Sequence, residues 1–576
     1  MRERPQLSEK DGRESDVPRY DVAILGGGAA GLTLALQLKE ARPATSILVV
    51  EKNEHPVPEA AHKVGESTVE VGSYYLRDVL HLEDHLSEQQ LDKFGLRVFI
   101  SSGDNRDITR RAELGARRWA SRAVGTFQLD RGRLENALGR DLAKNGILFR
   151  DGCQVQQVTL RPQDEHHRLR LVADGRQARE VDARWVVDAT GRRSLLKRQL
   201  GLAKKVEHEA NAVWFRVKQR IDIGQWSDDP EWLGRIVDGR RELSTNHLMG
   251  PGYWVWLIPL ASGSTSVGIV TDARMHRFEE MNRLDRALEW LGEHEPQCAQ
   301  MIEPYRDLVQ DFRVLRNYAY GCEQVFSADR WCLAGESGVF LDPFYSPGMD
   351  LIAIGNSMIT DLLAHALDGE DVTERAAIHN QIFLLLFENW LNIYQHQYGL
   401  MGSARVMLTK VVWDTAAYWA IPGLLFFHDK WRELADFPSL VFTLARFSDV
   451  SNRIQRFFNE WHAIDHSEES TRYISFYDFD FTAKLHVGMA AKLSDTDLLA
   501  QVAANLRLIE QISGQLVSTV IDECSAQPEN AEMRQQVERW NADASLTELV
   551  EIYEKENPGN PVGDEWIAIK RSAMSE

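Results

Sequence analysis

The sequence predicts an α/β fold in three parts: a parallel-sheet domain, an antiparallel sheet inserted into it, and a mostly helical C-terminal domain. A buried apolar strand near the N-terminus runs into a glycine-rich turn and then a helical pattern. Further short apolar strands recur along the chain, and the sequence after residue 370 is aromatic and helically periodic. We therefore expect a lead-in over residues 1–17, the two sheet regions over 18–370 and a helical domain over 371–576.

The composition is that of a globular protein, with 576 residues, 44% hydrophobic and 26% charged. A formal net charge of −20 and the lack of a lysine- or arginine-rich block argue against nucleic acid and anionic membranes as partners. The polar N-terminus has no apolar secretion segment. The five cysteines are scattered without CxxC or Cys/His spacing, so we expect free thiols in a reducing cytoplasm and no metal site.

The first motif is a GxGxxG turn between the strand Asp21–Leu25 and a helical pattern over 32–38. In this context the glycines permit a tight turn, close approach of a pyrophosphate and close helix–strand packing, and the helix N-terminus offers unpaired N–H groups. The residues predicted to bind the nucleotide here are Gly26, Gly28, Ala29, Ala30 and Gly31. The pattern is typical of a Rossmann-like dinucleotide-binding domain.

A second strand, Ile47–Val50, ends at Glu51 and Lys52, twenty residues beyond Gly31. A carboxylate at this place accepts hydrogen bonds from the adenosine ribose in dinucleotide sites. We therefore predict that Glu51 and Lys52 contact the cofactor.

Later motifs favour FAD over NAD. A Gly-Glu-Ser loop follows the second strand, Arg131 opens a helix, Asp188 ends an apolar strand in the run DATG, and Gly335-Glu336 ends another. This order resembles the flavoprotein monooxygenases of the p-hydroxybenzoate hydroxylase type, in which a substrate sheet is inserted between pieces of an FAD-binding domain. The resemblance implies that FAD is bound by Gly65, Glu66, Ser67, Arg131, Asp188, Gly335 and Glu336.

Two further motifs narrow the chemistry. Trp254-Val-Trp256-Leu-Ile-Pro259 reads as a strand with both tryptophans on one face, ended by proline. The run from Phe340 to Gly348 reads FxxPxxSxG. Within an FAD frame, these motifs resemble those of the flavin-dependent halogenases. The resemblance implies that a wall formed by Trp254 and Trp256 separates substrate from flavin. It also implies that the second motif surrounds the flavin and presents backbone amides to halide, with Ser346 as a catalytic residue and Pro343, Gly348 and Met349 as cofactor-binding residues.

The same family uses a lysine placed after the Gly-Glu-Ser loop and just before a strand. Lys93 fits that position, and Lys63 is the alternative, although its place at the flavin loop suits cofactor contact better. The resemblance implies that reduced FAD and oxygen form a C4a-hydroperoxide, and that chloride or bromide converts it to hypohalous acid. The acid then reaches the lysine, whose ammonium can hydrogen-bond it and whose pKa falls when desolvated.

Two positions depart from the family pattern. Tyr345 stands where halogenases of free tryptophan have a glutamate base, which points to phenol- or pyrrole-like substrates, free or carrier-bound. Pro347 lacks a backbone N–H, so one donor to halide is missing. Glu336, in place of aspartate, is a milder change. A flavin monooxygenase or dehydrogenase on the same scaffold is the alternative function, and a non-enzymatic flavin-binding or carrier-docking protein is a third.

The C-terminal region 371–576 reads as helices rich in Leu, Phe, Trp and Tyr, a pattern more typical of core than of a pocket, although in halogenases this region covers the substrate chamber. The apolar stretch 407–427 contains Lys410, Asp414 and Pro422, so we interpret it as buried helix or pocket lining and not as a membrane span. No second GxGxxG unit is present for a nicotinamide, which predicts a separate flavin reductase as partner.

Overall fold

The computed structural model describes residues 17–59, 65–162, 164–173, 177–465, 472–526, 530–556 and 566–567. All but one residue of the predicted lead-in 1–17, together with Lys63, lie outside these ranges. The strands are β1 Arg19–Leu25, β2 Ile47–Val50, β3 Leu91–Lys93, β4 Leu96–Ile100, β5 Glu113–Gly115, β6 Thr126–Gln128, β7 Leu148–Arg150, β8 Cys153–Thr159, β9 His167–Ala173, β10 Arg179–Asp188, β11 Ala203–Lys204, β12 Ala210–Val217, β13 Thr245–Gly250, β14 Tyr253–Pro259, β15 Thr265–Asp272, β16 Val309–Leu315, β17 Gly321–Cys322, β18 Phe326–Ser327, β19 Trp331–Leu333 and β20 Tyr473–Ile474.

The α-helices alternate with these strands in the first part of the chain and dominate the second part. They are α1 Ala29–Ala41, α2 Glu70–Tyr74, α3 Glu83–Gln89, α4 Arg131–Lys144, α5 Leu195–Gln199, α6 Pro230–Gly234, α7 Leu284–His294, α8 Pro296–Ile302, α9 Pro347–Leu367, α10 Thr373–Asn392, α11 Ala404–Tyr418, α12 Leu424–Phe427, α13 Lys430–Glu433, α14 Pro438–Ile464, α15 Asp480–Gly488, α16 Asp495–Ala526, α17 Ala531–Ala542 and α18 Ala544–Glu556.

The nucleotide-binding sheet has the strand order β18-β19-β10-β1-β2-β7, and the β8–β9 hairpin attaches to β10. Strand β1 is parallel to both β2 and β10, and its residues Val22–Leu25 are fully buried because helices cover the sheet. Helix α1 packs against α4 and α9, so the glycine-rich turn lies beside the start of α9. The predicted Rossmann-like order of strand, turn and helix is confirmed.

The inserted sheet has the order β16-β12-β15-β14-β13-β4-β5-β20, and the tryptophan strand β14 lies in its interior. Trp254, Trp256 and Ile258 face one hydrophobic cluster, whereas Val255 and Leu257 face another. The two tryptophans therefore share a face, as the alternation of a strand predicts. The strand ends at Pro259, as expected.

The region after residue 370 is mostly helical, as predicted. Strand β20 is its one strand within the described residues, and it pairs in parallel with β5, so this region is hydrogen-bonded to the inserted sheet. The predicted division at 370 falls between α9 and α10 and remains a prediction.

The apolar stretch 407–427 forms α11, a π-helical turn and α12, all buried in the protein. Within the described residues, no helix combines the length and the low polarity that a bilayer span needs.

Candidate active site

In the glycine-rich turn, neighbouring backbone lies too close to leave room for side chains. Gly26 has a φ of +119°, and a Cβ there would lie 2.2 Å from the Ala189 carbonyl oxygen. A Cβ on Gly31 would lie 2.0 Å from the carbonyl oxygen of Gly26, which shows how closely helix and strand approach. Gly28 caps α1 without a side-chain hydrogen bond, so the helix N-terminus is available to an anion.

The predicted ribose ligand Glu51 lies at this turn. Its carboxylate accepts the Gly27 N–H at 2.7 Å and the Asn53 N–H at 2.8 Å, which fixes its orientation. Lys52, by contrast, is an exposed side chain.

Asp188 is fully buried, and its carboxylate is hydrogen-bonded to other residues of the protein. It accepts the Thr190 N–H at 2.9 Å and the Leu196 N–H at 2.7 Å, and the Ser337 hydroxyl donates to it at 3.2 Å. Asp188 thus shapes the turn after β10 and the loop after β19, and it is not among the residues that line either cavity below.

Most other predicted site residues surround one cavity, called here the motif-lined cavity. Its wall includes Gly65, Glu66, Ser67, Arg131, Trp254, Trp256, Gly335, Glu336, Pro343, Ser346, Gly348 and Met349. Gly335 also connects this cavity to the glycine-rich turn, since a Cβ on it would lie 3.0 Å from that of Ala30. Tertiary packing therefore brings motifs that are far apart in the sequence together around the motif-lined cavity.

The two tryptophans are fixed by hydrogen bonds. Trp254 Nε1 donates to the Tyr398 hydroxyl at 3.0 Å, and Tyr398 in turn donates to the buried carboxylate of Asp342. Trp256 Nε1 donates to Ser266 Oγ at 3.1 Å, and its ring lies over Gly268, where a Cβ would come within 2.2 Å of it. Both rings line the motif-lined cavity and do not line the helix-lined cavity described below.

The FxxPxxSxG loop brings a helix N-terminus to the same cavity. Tyr345 and Ser346 have φ values of +66° and +60°, which turn the chain sharply into α9 at Pro347. Gly348 and Met349 follow in the first turn, where backbone N–H groups have no intrahelical partner. A Cβ on Gly348 would meet nothing within 4 Å, so space is open beside this backbone.

A second cavity, called here the helix-lined cavity, shares Pro347 with the first. Aromatic residues of the C-terminal region form much of its wall, so these helices contribute to a pocket as well as to the core. They are Trp390, Tyr394, Trp413, Tyr418, Trp419, Phe447, Phe476 and Tyr477.

Lys93 lines the helix-lined cavity and is 4% exposed. Its ammonium donates to Ser67 Oγ at 3.0 Å and to the Thr68 carbonyl oxygen at 2.7 Å. Burial lowers the pKa of Lys93 to about 8, against the opposing effect of the carboxylates Glu70 and Asp350. Because Ser67 lines the motif-lined cavity, Lys93 is one hydrogen bond away from it.

Three carboxylates that the sequence analysis did not select also line the helix-lined cavity. Glu70 contacts His486 Nε2 at 2.9 Å, and Asp414 contacts the Lys410 ammonium at 2.8 Å. Asp350 accepts the Gly72 N–H at 2.8 Å and the Tyr418 hydroxyl at 2.7 Å, and burial raises its pKa to about 7. The sequence signal that could have identified Asp350 and Asp414 is an acid inside an otherwise apolar helix.

The site also contains Tyr345, His247 and Glu66. The Tyr345 hydroxyl donates to Asp414 at 2.9 Å, and burial raises the pKa of Tyr345, so this side chain is a neutral donor, as expected from the sequence. His247 lines the motif-lined cavity, and burial lowers its pKa to about 3, so its imidazole is neutral. Glu66 forms a buried ion pair with Arg216 at 2.7 Å.

Comparison with known proteins gives consistent results. A family model described as an FAD binding domain matches residues 19–267. The flavin-dependent halogenase chlA of Dictyostelium discoideum is 25% identical over 437 residues, covering 70% of this chain and 70% of the relative. A 1H-pyrrole-2-carbonyl peptidyl-carrier-protein chlorinase of Pseudomonas fluorescens is 26% identical over 412 residues, covering 69% of this chain and 86% of the relative.

Among solved structures, the halogenase PltM in complex with phloroglucinol and FAD has a TM-score of 0.62 at 15% identity. The match covers 96% of this chain and 98% of the other, so the similarity of fold extends through the C-terminal helices.

Proposed function

We propose that this chain, which is similar to flavin-dependent halogenases, halogenates an electron-rich aromatic ring with hypohalous acid made from chloride or bromide. The observation that carries this proposal is the pair of cavities that share Pro347, with the buried Lys93 on the helix-lined side. The separation lets oxidant form in one space and react in another.

FAD fits the first of these spaces. The N-terminus of α1 at Gly28 would hold the pyrophosphate, Glu51 would hold the ribose, and the motif-lined cavity would hold the flavin ring against Trp254 and Trp256. A Cβ on Gly65 would lie 2.8 Å from the Arg131 guanidinium, so a residue without a side chain fits best at this part of the motif-lined cavity. When bound, reduced FAD supplies, with oxygen, the oxidising equivalents that convert halide to hypohalous acid.

The halide would bind at the start of α9. The Gly348 and Met349 N–H groups lie at the positive end of a 21-residue helix, beside open space in the motif-lined cavity. Pro347 occupies the first helical position, where proline is common because the group it lacks has no intrahelical partner. Its missing N–H removes one donor and leaves the following two.

Lys93 would hold hypohalous acid beside the substrate ring. As an ammonium it offers three donors, and two of them are engaged by Ser67 and Thr68. The third can hydrogen-bond the oxidant oxygen within the helix-lined cavity. The surrounding aromatic residues exclude water and pack against a ring.

A phenol is the substrate class that this cavity fits best. Tyr345 occupies the position of a glutamate base, and its hydroxyl donates a hydrogen bond to Asp414, so the cavity relies on the substrate's own oxygen to activate the ring. PltM, of the same fold, is described in complex with phloroglucinol. A carrier-bound pyrrole is the second candidate, since two relatives are named as halogenases of such a substrate.

The reduced cofactor would come from a separate flavin reductase, because the sequence has no second GxGxxG unit for a nicotinamide. The test is incubation of the purified chain with FAD, a flavin reductase, NADH, bromide or chloride, and a panel of phenols and a carrier-bound pyrrole. Halogenated product that requires halide and the reductase supports the proposal.

A flavin monooxygenase or dehydrogenase without halide chemistry is the competing function, and Pro347 is the observation that favours it. Oxygenated or dehydrogenated product that forms equally well without halide, and that persists in a Lys93→Ala variant, would replace the halogenase proposal.

A further inference from the structure

The carboxylates of the helix-lined cavity differ in their partners. Glu70 contacts the imidazole of His486 and Asp414 contacts the ammonium of Lys410. Asp350 is held by a backbone amide and a phenol, and no cation among the described residues is hydrogen-bonded to it. A carboxylate with neutral partners keeps more basicity than one in an ion pair.

Asp350 also lies where a base is needed. It is buried, it lines the same cavity as Lys93, and it belongs to the first turn of α9, beside Pro347. Its first-turn position favours the ionised form, and its fixed partners Gly72 and Tyr418 set the direction of its oxygens. Each of those oxygens keeps a further lone pair for another proton.

We propose that Asp350 is a catalytic residue that takes the proton from the halogenated ring carbon, and that Tyr418 positions it. This inference rests on the proposed halogenase function. The position before the motif serine, where halogenases of free tryptophan have a glutamate, is Tyr345 here, so the base comes from one turn into the helix that follows.

The reaction balances with Lys93 as acid and Asp350 as base. The ring carbon attacks the halogen of hypohalous acid, so that a carbon–halogen bond forms and the oxygen–halogen bond breaks. The Lys93 ammonium gives a proton to the departing hydroxide, which leaves as water. The Asp350 carboxylate takes the proton from the ring carbon, and the ring becomes aromatic again.

The two residues then return to their starting states when Asp350 passes its proton to the neutral Lys93. The pKa values of about 7 for Asp350 and about 8 for Lys93 lie close enough for this transfer to be nearly thermoneutral. The net reaction converts an aromatic C–H bond and hypohalous acid to a carbon–halogen bond and water.

The decisive variant is Asp350→Asn in the full-length enzyme, supplied with FAD, reductase, bromide and phenol. Removing a general base typically lowers the rate by about 10² to 10⁴, so we expect a fall of at least about 100-fold in bromophenol formation. Hypohalous acid, measured in parallel with a soluble 1,3-diketone trap, should form at the wild-type rate.

A kinetic isotope effect distinguishes catalysis from structural support. With ring-deuterated phenol, wild type should show a ratio near unity, whereas Asp350→Asn should show a clear normal effect because loss of the ring proton has become slow. In Asp350→Ala, added formate should restore activity, and nitrate, an anion of similar shape that is no base, should not.

The alternative base within the cavity is Glu70. If Glu70→Gln gains the isotope effect and Asp350→Asn does not, or if Asp350→Asn brominates phenol at the wild-type rate, the inference about Asp350 is wrong. Wild-type enzyme that makes no halide-dependent product would contradict the proposed function itself. Circular dichroism and bound-FAD absorbance establish that each variant is folded.

Discussion

The motif-lined and helix-lined cavities share Pro347 but differ in the residues that form their walls. The wall of the first includes glycine turns, a helix N-terminus and a strand whose two tryptophans lie side by side. The second is bounded by side chains of helices that are distant in sequence, with Lys93 and three carboxylates among aromatic rings. Backbone recognition suits a constant cofactor, and side-chain recognition suits a particular substrate.

The difference also concerns charge. Among the predicted residues of the motif-lined cavity, Glu66 is neutralised by Arg216 in a buried pair. In the helix-lined cavity, Lys93 and Asp350 each keep a pKa near neutrality because burial opposes their charged forms. Groups of this kind are costly for stability and useful for proton transfer. The comparison therefore assigns oxidant formation to one cavity and ring chemistry to the other.

The largest expected effect comes from Lys93→Ala. Aromatic halogenation should fall by at least about 100-fold, in the range of a lost general acid, because the residue that holds the oxidant is gone. Trapped hypohalous acid should persist, since the motif-lined cavity is unchanged. Exposed Lys144, replaced by Ala, is the matched control and should keep both activities. Loss of trapped hypohalous acid in Lys93→Ala would mean that the two cavities do not divide the reaction.

Gly268→Ala tests the wall of the motif-lined cavity. The added methyl would lie 2.2 Å from the Trp256 ring, so the ring must move. Overpacking of this kind costs about 1–3 kcal/mol, and we expect a lower free energy of unfolding together with weaker FAD binding, measured by denaturant titration and flavin fluorescence. Gly292→Ala in helix α7 meets nothing within 4 Å and should be neutral or stabilising. Equal effects of the two variants would contradict tight packing at Trp256.

The pH dependence of product formation tests whether Lys93 and Asp350 of the helix-lined cavity titrate near neutral pH. Lys93 is an ammonium below its pKa of about 8, and Asp350 is a carboxylate above its pKa of about 7, so both are in the active form only between these values. We expect a bell-shaped profile for bromophenol formation, falling about tenfold per pH unit on each side.

Because Lys93, Asp350 and Glu70 influence one another, the apparent values belong to the cluster. The measurement is product formed per trapped hypohalous acid, which removes the pH dependence of the motif-lined cavity. The acid limb should disappear in Asp350→Asn. An acid limb that survives this substitution would assign the titration to another group.

The smallest expected effect is that of Pro347→Ala. The variant regains one backbone N–H at the start of α9, so the KM for bromide should fall a few-fold, while stability falls by about 0.4–1 kcal/mol because the unfolded chain gains freedom. Steady-state kinetics against bromide and thermal denaturation provide the measurements. A KM that does not change would place the halide away from this helix.

The motif-lined cavity was predictable in large part because each of its parts is local. Gly26, Gly31 and the tryptophan pair can be recognised from spacings of a few residues. Strand alternation alone places Trp254 and Trp256 on one face. The cofactor contacts assigned to Asp188 and Lys52 stay predictions. Nothing local in the sequence shows that the Asp188 carboxylate is hydrogen-bonded to the turn that follows it or that Lys52 is exposed.

By itself, then, the sequence determined the nucleotide-binding turn, the tryptophan strand and the resemblance to flavin-dependent halogenases, since these depend on residues that are close together in the chain. Only the tertiary structure decided that Lys93 meets Ser67, and that Asp350 faces the same cavity with neutral partners. The physical reason is that burial and hydrogen-bond partners come from separate elements, such as Gly72, which donates to Asp350 from 278 positions earlier in the chain. These contacts set which acid can act as a base.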